Sequence, residues 1–141
     1  MTAAYDDTNI FAKILRGEIP SHRVFEDASC VAFMDVMPQV AGHTLVVPKA
    51  PSRNLLDADP AVLAHLVQVV QKLAVAVKSA FAADGVTIMQ FNEAAAGQTV
   101  FHLHFHVLPR MEGVPAKPHS AGMEKPEILA AHAERIRAAL S

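Results

Sequence analysis

Three histidines alternate with apolar residues in the segment GQTVFHLHFHVLPR, residues 97–110. Side chains of an extended strand point to alternate faces, so His102, His104 and His106 would share one face. A lone histidine on an apolar face is usually structural, but three with this spacing need polar surroundings. The pattern therefore predicts that this face lines a cleft. The other face is expected to anchor the strand in the core through Phe101, Leu103, Phe105 and Val107.

Two kinds of chemistry suit such a face. Three imidazoles and a water can form a catalytic zinc site. Neutral imidazole is also a nucleophile near pH 7, since its ordinary pKa is about 6.5, and neighbouring imidazoles can donate to phosphate oxygens. The preceding Gly97, Gln98 and Thr99 supply donors for a small anion, and no carboxylate adjoins the histidines in the sequence. These residues favour phosphate chemistry, although a carboxylate from elsewhere could orient a zinc ligand.

Length and composition indicate one globular domain, residues 1–141, of which 52% are hydrophobic. The net charge is −2 and the 12 basic residues form no cluster, so we expect no nucleic-acid polymer as a partner. Cys30 is the only cysteine, which excludes an intrachain disulfide. The N-terminus has no signal-peptide pattern, and polar residues interrupt the longest apolar stretch. We therefore expect no membrane partner and a cytoplasmic location.

Periodicity and turn residues predict three helices and five strands. Helices are expected at about residues 9–16, from Pro60 until shortly before Gly85, and from about Glu127. Strands are expected at residues 22–26 and 30–35, which form a hairpin, and at 43–48, 86–92 and 100–108, the last stopped by Pro109. Adjacent strands favour an α+β fold with a five-stranded antiparallel sheet. The narrow polar stripe of the long helix, His65, Gln68, Lys72 and Ser79, predicts packing on two sides, one against a second subunit.

The segment HLHFHVLPR, preceded by GQTV, resembles the signature of the histidine triad superfamily, His-φ-His-φ-His-φ-φ with φ apolar. Two upstream segments, NIFAKILRGEIPS and CVAFMDVMPQVAGHTLVVPK, resemble those of the family in the same order. The resemblance covers the core, residues 8–110, and leaves residues 111–141 as a C-terminal extension with a helix. It implies a homodimer whose two sheets join into one.

For catalysis, the resemblance implies that His104 attacks the α-phosphate of a nucleotide and forms a covalent nucleotidyl-imidazole. Water then hydrolyses this intermediate. His106 would hydrogen-bond the phosphate oxygens, and His102 would fix the tautomer and orientation of His104. His43, in AGHTLVV, matches a fourth histidine on a neighbouring strand.

For substrate binding, the resemblance implies that Asp35 accepts hydrogen bonds from both ribose hydroxyls. Thr99 would contact the phosphate or leaving group, Asn92 would reach the phosphate, and Gly97 and Gln98 would belong to the phosphate loop. The base pocket would be apolar and consist of Ile10, Phe11, Ile14, Phe33 and Val36.

The chain also departs from the family pattern. Many bacterial relatives carry Cys-x-x-Cys, which holds a structural zinc, where this chain has Asn9 and Ala12. We therefore expect no metal and no cofactor. His22, His65, His119 and His132 are interpreted as solvated or structural, and no role is assigned to residues 111–141.

The resemblance thus predicts a nucleotide hydrolase or transferase that acts on purine nucleotide conjugates. The opening segment favours a nucleoside phosphoramidase, whereas GQTV and HVLPR are shared with dinucleoside polyphosphate hydrolases. Outside that class, the alternatives are a nucleotide-binding regulatory protein with vestigial activity and, more weakly, a zinc-binding protein that uses the triad.

Overall fold

The computed structural model of the protein describes residues 4–141, so residues 1–3 of the predicted domain lie outside it. The helices are α1 (Ile10–Leu15), α2 (Pro60–Ala80) and α3 (Pro126–Leu140). The strands are β1 (Arg23–Glu26), β2 (Cys30–Met34), β3 (Thr44–Pro48), β4 (Gly85–Met89) and β5 (Phe105–Arg110). They form one sheet in the order β1-β2-β3-β5-β4, with every neighbouring pair antiparallel. The α+β class and the five-stranded antiparallel sheet are confirmed.

Local capping explains where the predicted elements begin. The Asp27 carboxylate accepts hydrogen bonds from the backbone N–H groups of Ser29 and Cys30, which closes the β1–β2 hairpin. Asp59 caps α2 by accepting from the N–H of Ala61, and Pro60 occupies the first turn. Each capping group satisfies backbone donors that would otherwise lack a partner.

The two faces of the sheet carry different helices. On one face, α1 packs Phe11 and Ile14 against strands β2 and β3. On the other face, α2 and α3 cover the larger core, to which α3 contributes Leu129, Ala133 and Ile136. The C-terminal helix is therefore part of the main hydrophobic core.

The long helix α2 is less polar at its surface than the predicted stripe suggests. One side packs on the sheet and another on α3, so its second packing partner belongs to this chain. Val67 and Val75 are 53% and 67% exposed. By length and composition α2 could cross a membrane, but Leu66, Leu73 and Val77 on its inner side lie in the core.

The histidine strand is shorter than predicted and does not stop at its proline. Only His106 of the triad lies in β5, because pairing with β3 ends at Val46 and Phe105. Pro109 lies beyond the last residue paired with β3 and pairs only with Val86 of β4. A proline is tolerated where one side of the strand needs no donor.

The predicted core face of this strand is correct except at its start. Leu103 and Val107 are buried in the core, and Phe105 packs against it. Phe101 lies outside this core, with the Arg53 guanidinium 4.2 Å from its ring centroid. The prediction for Phe101 is therefore wrong, since residues 100–104 leave the sheet and turn this ring toward the surface.

Candidate active site

A cavity of about 110 Å³ lies on the α1 face of the sheet. His104 and His106 form one wall, and Asp35 and His119 lie on the same cavity. Its remaining lining residues are Ile10, Phe11, Val36, Met37, Leu45, Thr99 and Val100. His106 pairs with Leu45 across β5 and β3, and paired residues of antiparallel strands share a face. The sheet register therefore places His106 beside the side chains that α1 covers.

The tautomer of His104 follows from one hydrogen bond. Its Nδ1 lies 2.6 Å from the backbone oxygen of His102. A carbonyl oxygen only accepts, so Nδ1 carries the hydrogen and donates it. In neutral His104, Nε2 then holds a free lone pair, and no group among residues 4–141 hydrogen-bonds to it. The side chain is 7% exposed, and Phe11 packs edge-on against its ring at 4.8 Å.

A second hydrogen-bond chain fixes the tautomers of His43 and His106. The backbone N–H of Gln39 donates to Nδ1 of His43 at 3.1 Å, so the hydrogen of His43 lies on Nε2. That Nε2 donates to Nδ1 of His106 at 2.9 Å. Neutral His106 therefore carries its hydrogen on Nε2, where it is available to a ligand.

The turn before β3 brings His43 into this chain. Gly42 has φ +88°, and a Cβ at this position would lie 2.6 Å from a ring carbon of Phe81. Both the backbone conformation and the space therefore require glycine. His43 follows directly and is fully buried.

Burial keeps the histidines of the cavity neutral. Desolvation lowers the pKa of His104 to about 4, and it lowers the pKa of His43 and of His106 to about 3. Neighbouring imidazoles make a smaller contribution to each of these lowered pKa values. Near neutral pH, the wall therefore presents one nitrogen lone pair and one N–H donor.

His102 lies behind the wall and holds the backbone that orients His104. Its Nε2–H donates to the backbone oxygen of Pro48 at 2.8 Å, and its Nδ1 accepts from the Tyr5 hydroxyl at 2.6 Å. Asn9 in turn donates to the Tyr5 oxygen at 3.1 Å. His102 is thus held at both ring nitrogens, and desolvation lowers its pKa.

Asp35 is a buried carboxylate on the same cavity, 5% exposed, and it lies close to His43 and His106. Its Oδ1 accepts from the backbone N–H of Met37 at 2.8 Å, and Nε2 of His119 lies 3.3 Å from Oδ2. Burial raises the pKa of Asp35, while the Met37 amide and His119 lower it. His119, interpreted as solvated or structural, has a side chain that is 40% exposed and also contacts the candidate ribose-binding group.

The loop before the triad divides into residues that line the cavity and residues that support it. Thr99 is exposed on the cavity, and no group among residues 4–141 hydrogen-bonds to its hydroxyl. Gly97, at φ +102°, uses its N–H in a turn to Ala94. Gly97 therefore shapes the loop rather than offering its own N–H to a ligand.

Gln98 and Asn92 belong to the framework of this loop. The Gln98 amide accepts from the N–H of Glu93 and from Asn54, and it donates to the oxygens of Arg53 and Val100. Asn92 exchanges hydrogen bonds with Gln90 and accepts from the N–H of Leu55. We correct the expected phosphate contact of Gln98, because its side chain is buried and fully used. Asn92 does not line the cavity either.

Glu93 completes this framework in a strained conformation. Its φ is +75°, which is uncommon for a residue with a side chain. Its carboxylate accepts from Arg53 through two hydrogen bonds of 2.9 Å and from Asn54. These charged contacts hold the loop in the shape that presents Thr99 to the cavity.

The predicted base pocket is only partly at the cavity. Ile10, Phe11 and Val36 line it, and Leu45 joins them. Phe33 is 2% exposed and packs edge-on against Phe11 at 5.5 Å, and Ile14 is buried in the same cluster. Phe33 and Ile14 therefore support the wall without forming it.

The donor groups at two places in this chain do not fit a zinc ion. Asn9 uses its Oδ1 to cap α1 and its Nδ2 as a hydrogen-bond donor, and Ala12 offers no ligand atom. These two residues, which stand where many bacterial relatives have cysteines, therefore do not fit zinc. His43 and His106 lie near Asp35, but their nitrogens are 2.9 Å apart. Two zinc-bound nitrogens in tetrahedral geometry are about 3.3 Å apart.

A second cluster contains Asp27, Cys30 and His65. Nε2 of His65 lies 2.7 Å from the Asp27 carboxylate, which is a hydrogen bond. Burial raises the pKa of Cys30 to about 11, whereas zinc binds the thiolate. His65, interpreted as solvated or structural, therefore has a structural role, in which it ties α2 to the hairpin.

The family follows from comparison with known proteins. The HIT domain family matches residues 16–113. The chain belongs to the HIT family, and the histidine triad resemblance is confirmed. The predicted core began earlier, at residue 8, and ended at residue 110.

HIT proteins of known structure superimpose over most of the chain. A HIT-like protein from Bartonella henselae, described as involved in cell-cycle regulation and crystallised with an unknown ligand, is 60% identical, with a TM-score of 0.91. The match covers 96% of this chain and 99% of that one. A zinc-bound histidine triad family protein from Mycobacterium smegmatis is 35% identical, with a TM-score of 0.82, over 93% of this chain and 91% of that one.

A relative with a named activity is the adenylylsulfatase HINT3 of Arabidopsis thaliana. It is 37% identical over 103 residues, which are 73% of this chain and 52% of the relative.

Proposed function

We propose that the protein is a nucleotide hydrolase or transferase that acts at the α-phosphate of purine nucleotide conjugates through a covalent nucleotidyl-His104 intermediate. One observation carries the proposal. The hydrogen bond from Nδ1 of His104 to the His102 oxygen leaves the Nε2 lone pair free in a cavity shared with Asp35, His106 and Thr99. Membership of the family and the name of the Arabidopsis relative support it.

In the first step, Nε2 of His104 forms a bond to the α-phosphorus and the bond from phosphorus to the leaving group breaks. The electron pair of that bond goes to the leaving nitrogen or oxygen, which takes a proton from solvent water as it departs. His106 donates its Nε2–H to a phosphate oxygen where negative charge builds up. In the second step, water attacks phosphorus and loses a proton to solvent, the P–N bond to His104 breaks, and a nucleoside monophosphate is released with neutral His104.

The nucleoside is held by Asp35 and by apolar side chains of the cavity. Asp35 accepts from the ribose hydroxyls, and the apolar side chains of Ile10, Phe11 and Val36 contact the base. Thr99 supplies an exposed hydroxyl near the phosphate or leaving group. A carboxylate with two oxygens suits a vicinal diol, so Asp35 favours ribonucleosides.

We favour a nucleoside phosphoramidase, which cleaves the P–N bond between a nucleotide and an amine. The opening segment, residues 9–21, supports this choice by its resemblance. Hydrolysis of dinucleoside polyphosphates is the second candidate, because the chain shares the segments around the triad with that branch. A regulatory nucleotide-binding protein would bind the nucleotide through Asp35 but would not hydrolyse it.

The decisive experiment is turnover of adenosine 5′-phosphoramidate and of diadenosine polyphosphate in parallel, followed by chromatography of the products. We expect AMP and ammonia, and a quenched reaction should contain the mass of AMP on a peptide that includes His104. The His104→Asn variant should bind AMP and release no product. Full activity of that variant would exclude the proposed nucleophile, and AMP binding without turnover by the wild type would indicate the regulatory alternative.

We also propose a homodimer in which β4 of each protomer pairs with its partner. β4 is an edge strand, and Ile88 on it is 43% exposed. Ile88 pairs with Val107, whose side chain faces the core under α2, so Ile88 lies on the α2 side of the sheet. The exposed Val67 and Val75 of α2 add apolar surface on that side. Pairing of edge strands would remove an exposed edge and cover this surface.

Four further expectations belong to this proposal. The first is a cytoplasmic location. The dispersed basic residues indicate that the partner is a small nucleotide rather than a nucleic-acid polymer, and we expect no membrane partner. We propose no cofactor, since the transfer needs only imidazole and water.

A further inference from the structure

We propose that His119 is a positioning residue for ribose recognition, which holds the Asp35 carboxylate so that two of its acceptor sites face the diol of the nucleotide. This inference rests on the proposed function and concerns the same cavity. It assigns a role to a segment of the C-terminal extension, residues 115–124.

The contact joins two distant parts of the chain. Nε2 of His119 lies 3.3 Å from Oδ2 of Asp35, and both residues line the cavity that His104 borders. Since the carboxylate only accepts, His119 donates from Nε2. The His119 side chain is 40% exposed, while that of Asp35 is 6% exposed, so the imidazole forms the solvent side of this contact.

The segment that carries His119 is built onto the loop after Asp35. The N–H of Lys117 donates to the backbone oxygen of Gln39 at 2.8 Å. The N–H of Glu124 donates to the backbone oxygen of Val36 at 2.9 Å. A short 3-10 turn between these two anchors, His119–Ala121, presents the imidazole to Asp35. Two backbone anchors therefore fix the position from which His119 reaches the carboxylate.

The acceptor sites of Asp35 can be counted. A carboxylate has two oxygens and about four lone-pair sites. Met37 occupies one site on Oδ1, and His119 occupies one on Oδ2. Nε2 of His43 lies 3.5 Å from Oδ2 but donates to His106. One site remains on each oxygen, which is the number that two vicinal hydroxyls require.

His119 also supplies the donor that a buried carboxylate needs. Desolvation disfavours the charged form of Asp35, and only the charged form accepts at both oxygens. Without His119, Asp35 loses its one side-chain donor among residues 4–141, because His43 donates its hydrogen to His106. The loss should weaken binding of ligands with a diol and leave ligands without a diol nearly unaffected.

The test is isothermal titration calorimetry of the full chain with AMP and with 2′,3′-dideoxy-AMP, for the wild type and for His119→Ala and His119→Gln. We expect His119→Ala to weaken AMP binding about tenfold and to change dideoxy-AMP binding less than about twofold. Gln carries an amide N–H at a reach similar to that of Nε2, so His119→Gln should recover most of the affinity. His22→Ala is the matched control, since the His22 side chain makes no hydrogen bond within residues 4–141.

Other results would overturn the assignment in distinguishable ways. If His119→Ala binds AMP as well as the wild type or more tightly, His119 either has no role or competes with ribose. If it weakens AMP and dideoxy-AMP equally, the imidazole supports the segment rather than the diol site. If the wild type binds neither nucleotide, the proposed function is wrong and the role of His119 is lost with it.

Discussion

Nε2 of His43 and Nδ1 of His106 are joined by a hydrogen bond of 2.9 Å between residues 63 positions apart. The backbone N–H of Gln39 sets the tautomer of His43, and His43 sets that of His106. A main-chain amide thus determines that the cavity nitrogen of His106 is a donor. A donor fixed before the substrate arrives needs no reorganisation during the reaction.

We predict that His43→Ala lowers kcat about a hundredfold and changes KM by less than about threefold. The change frees Nδ1 of His106, so that its hydrogen no longer stays on Nε2, and loss of one preorganised donor has an effect of this order. Steady-state kinetics with adenosine 5′-phosphoramidate measures both constants. Circular dichroism must show a folded protein, because the substitution also creates a cavity. An unchanged kcat in a folded variant would contradict the relay.

The residues that alternate in the sequence do not alternate in one strand. The spacing in the sequence predicts that the three histidines act as a unit. The resemblance adds Asp35 and His43 to the site. The fold brings the Asp35 and His43 side chains to within 3.5 Å of each other. The period of two does not reveal that β3–β5 pairing ends at Phe105. His102 instead lies where its ring can reach the Pro48 oxygen.

Residues missed at the site make contacts over long sequence separations. His119 reaches Asp35 across 84 positions, from a proline-rich segment without periodicity, and Tyr5 reaches His102 across 97. No local pattern encodes such contacts. Gln98 was misinterpreted for a different reason, because composition does not distinguish an amide that binds a ligand from one buried in a loop framework.

We predict that Tyr5→Phe lowers kcat about fivefold without a comparable change in KM. The variant keeps the ring, which packs edge-on at 5.6 Å, and removes the donor to Nδ1 of His102. The remaining bond to the Pro48 oxygen still holds the other ring nitrogen, so the expected loss is modest. The ¹⁵N chemical shifts of His102 should change at Nδ1. A changed shift with unchanged kcat would show that Tyr5 has no influence on His104.

We predict that stability falls as the pH is lowered from about 6.5 toward 4. The pKa of His104 is about 4 in the folded protein, and those of His43 and His106 are about 3, against about 6.5 in the unfolded chain. Between the folded-state and unfolded-state pKa values, the unfolded state binds more protons than the folded state. The contribution of these histidines to stability is therefore fully present above pH 6.5 and is lost on acidification. Each histidine contributes roughly 1.4 kcal/mol per pH unit. Urea unfolding at several pH values measures the slope, and His43→Ala should reduce it.

We predict that the pH profiles of kcat and KM separate. His104 stays neutral well below pH 6.5, so kcat should not fall with the pKa of free imidazole. Burial raises the pKa of Asp35, so protonation of this carboxylate on acidification should increase KM for a ribonucleotide substrate rather than lower kcat. Initial rates from pH 8 to pH 5 test both profiles. A kcat that falls with an apparent pKa near 6.5 would contradict the assignment of a desolvated His104.

The final prediction concerns the edge of the sheet. Ile88→Lys should convert a dimer into a monomer, because it places a charged side chain on each of the two paired β4 edges in place of an apolar one. Multi-angle light scattering on a size-exclusion column measures the mass directly. Leu56→Lys is the control, since Leu56 is 63% exposed and lies in the turn Leu55–Asp57, away from β4 in the sequence. If the wild type elutes as a monomer, or if both variants remain dimers, β4 is not the interface and the exposed Val67 and Val75 of α2 need another explanation.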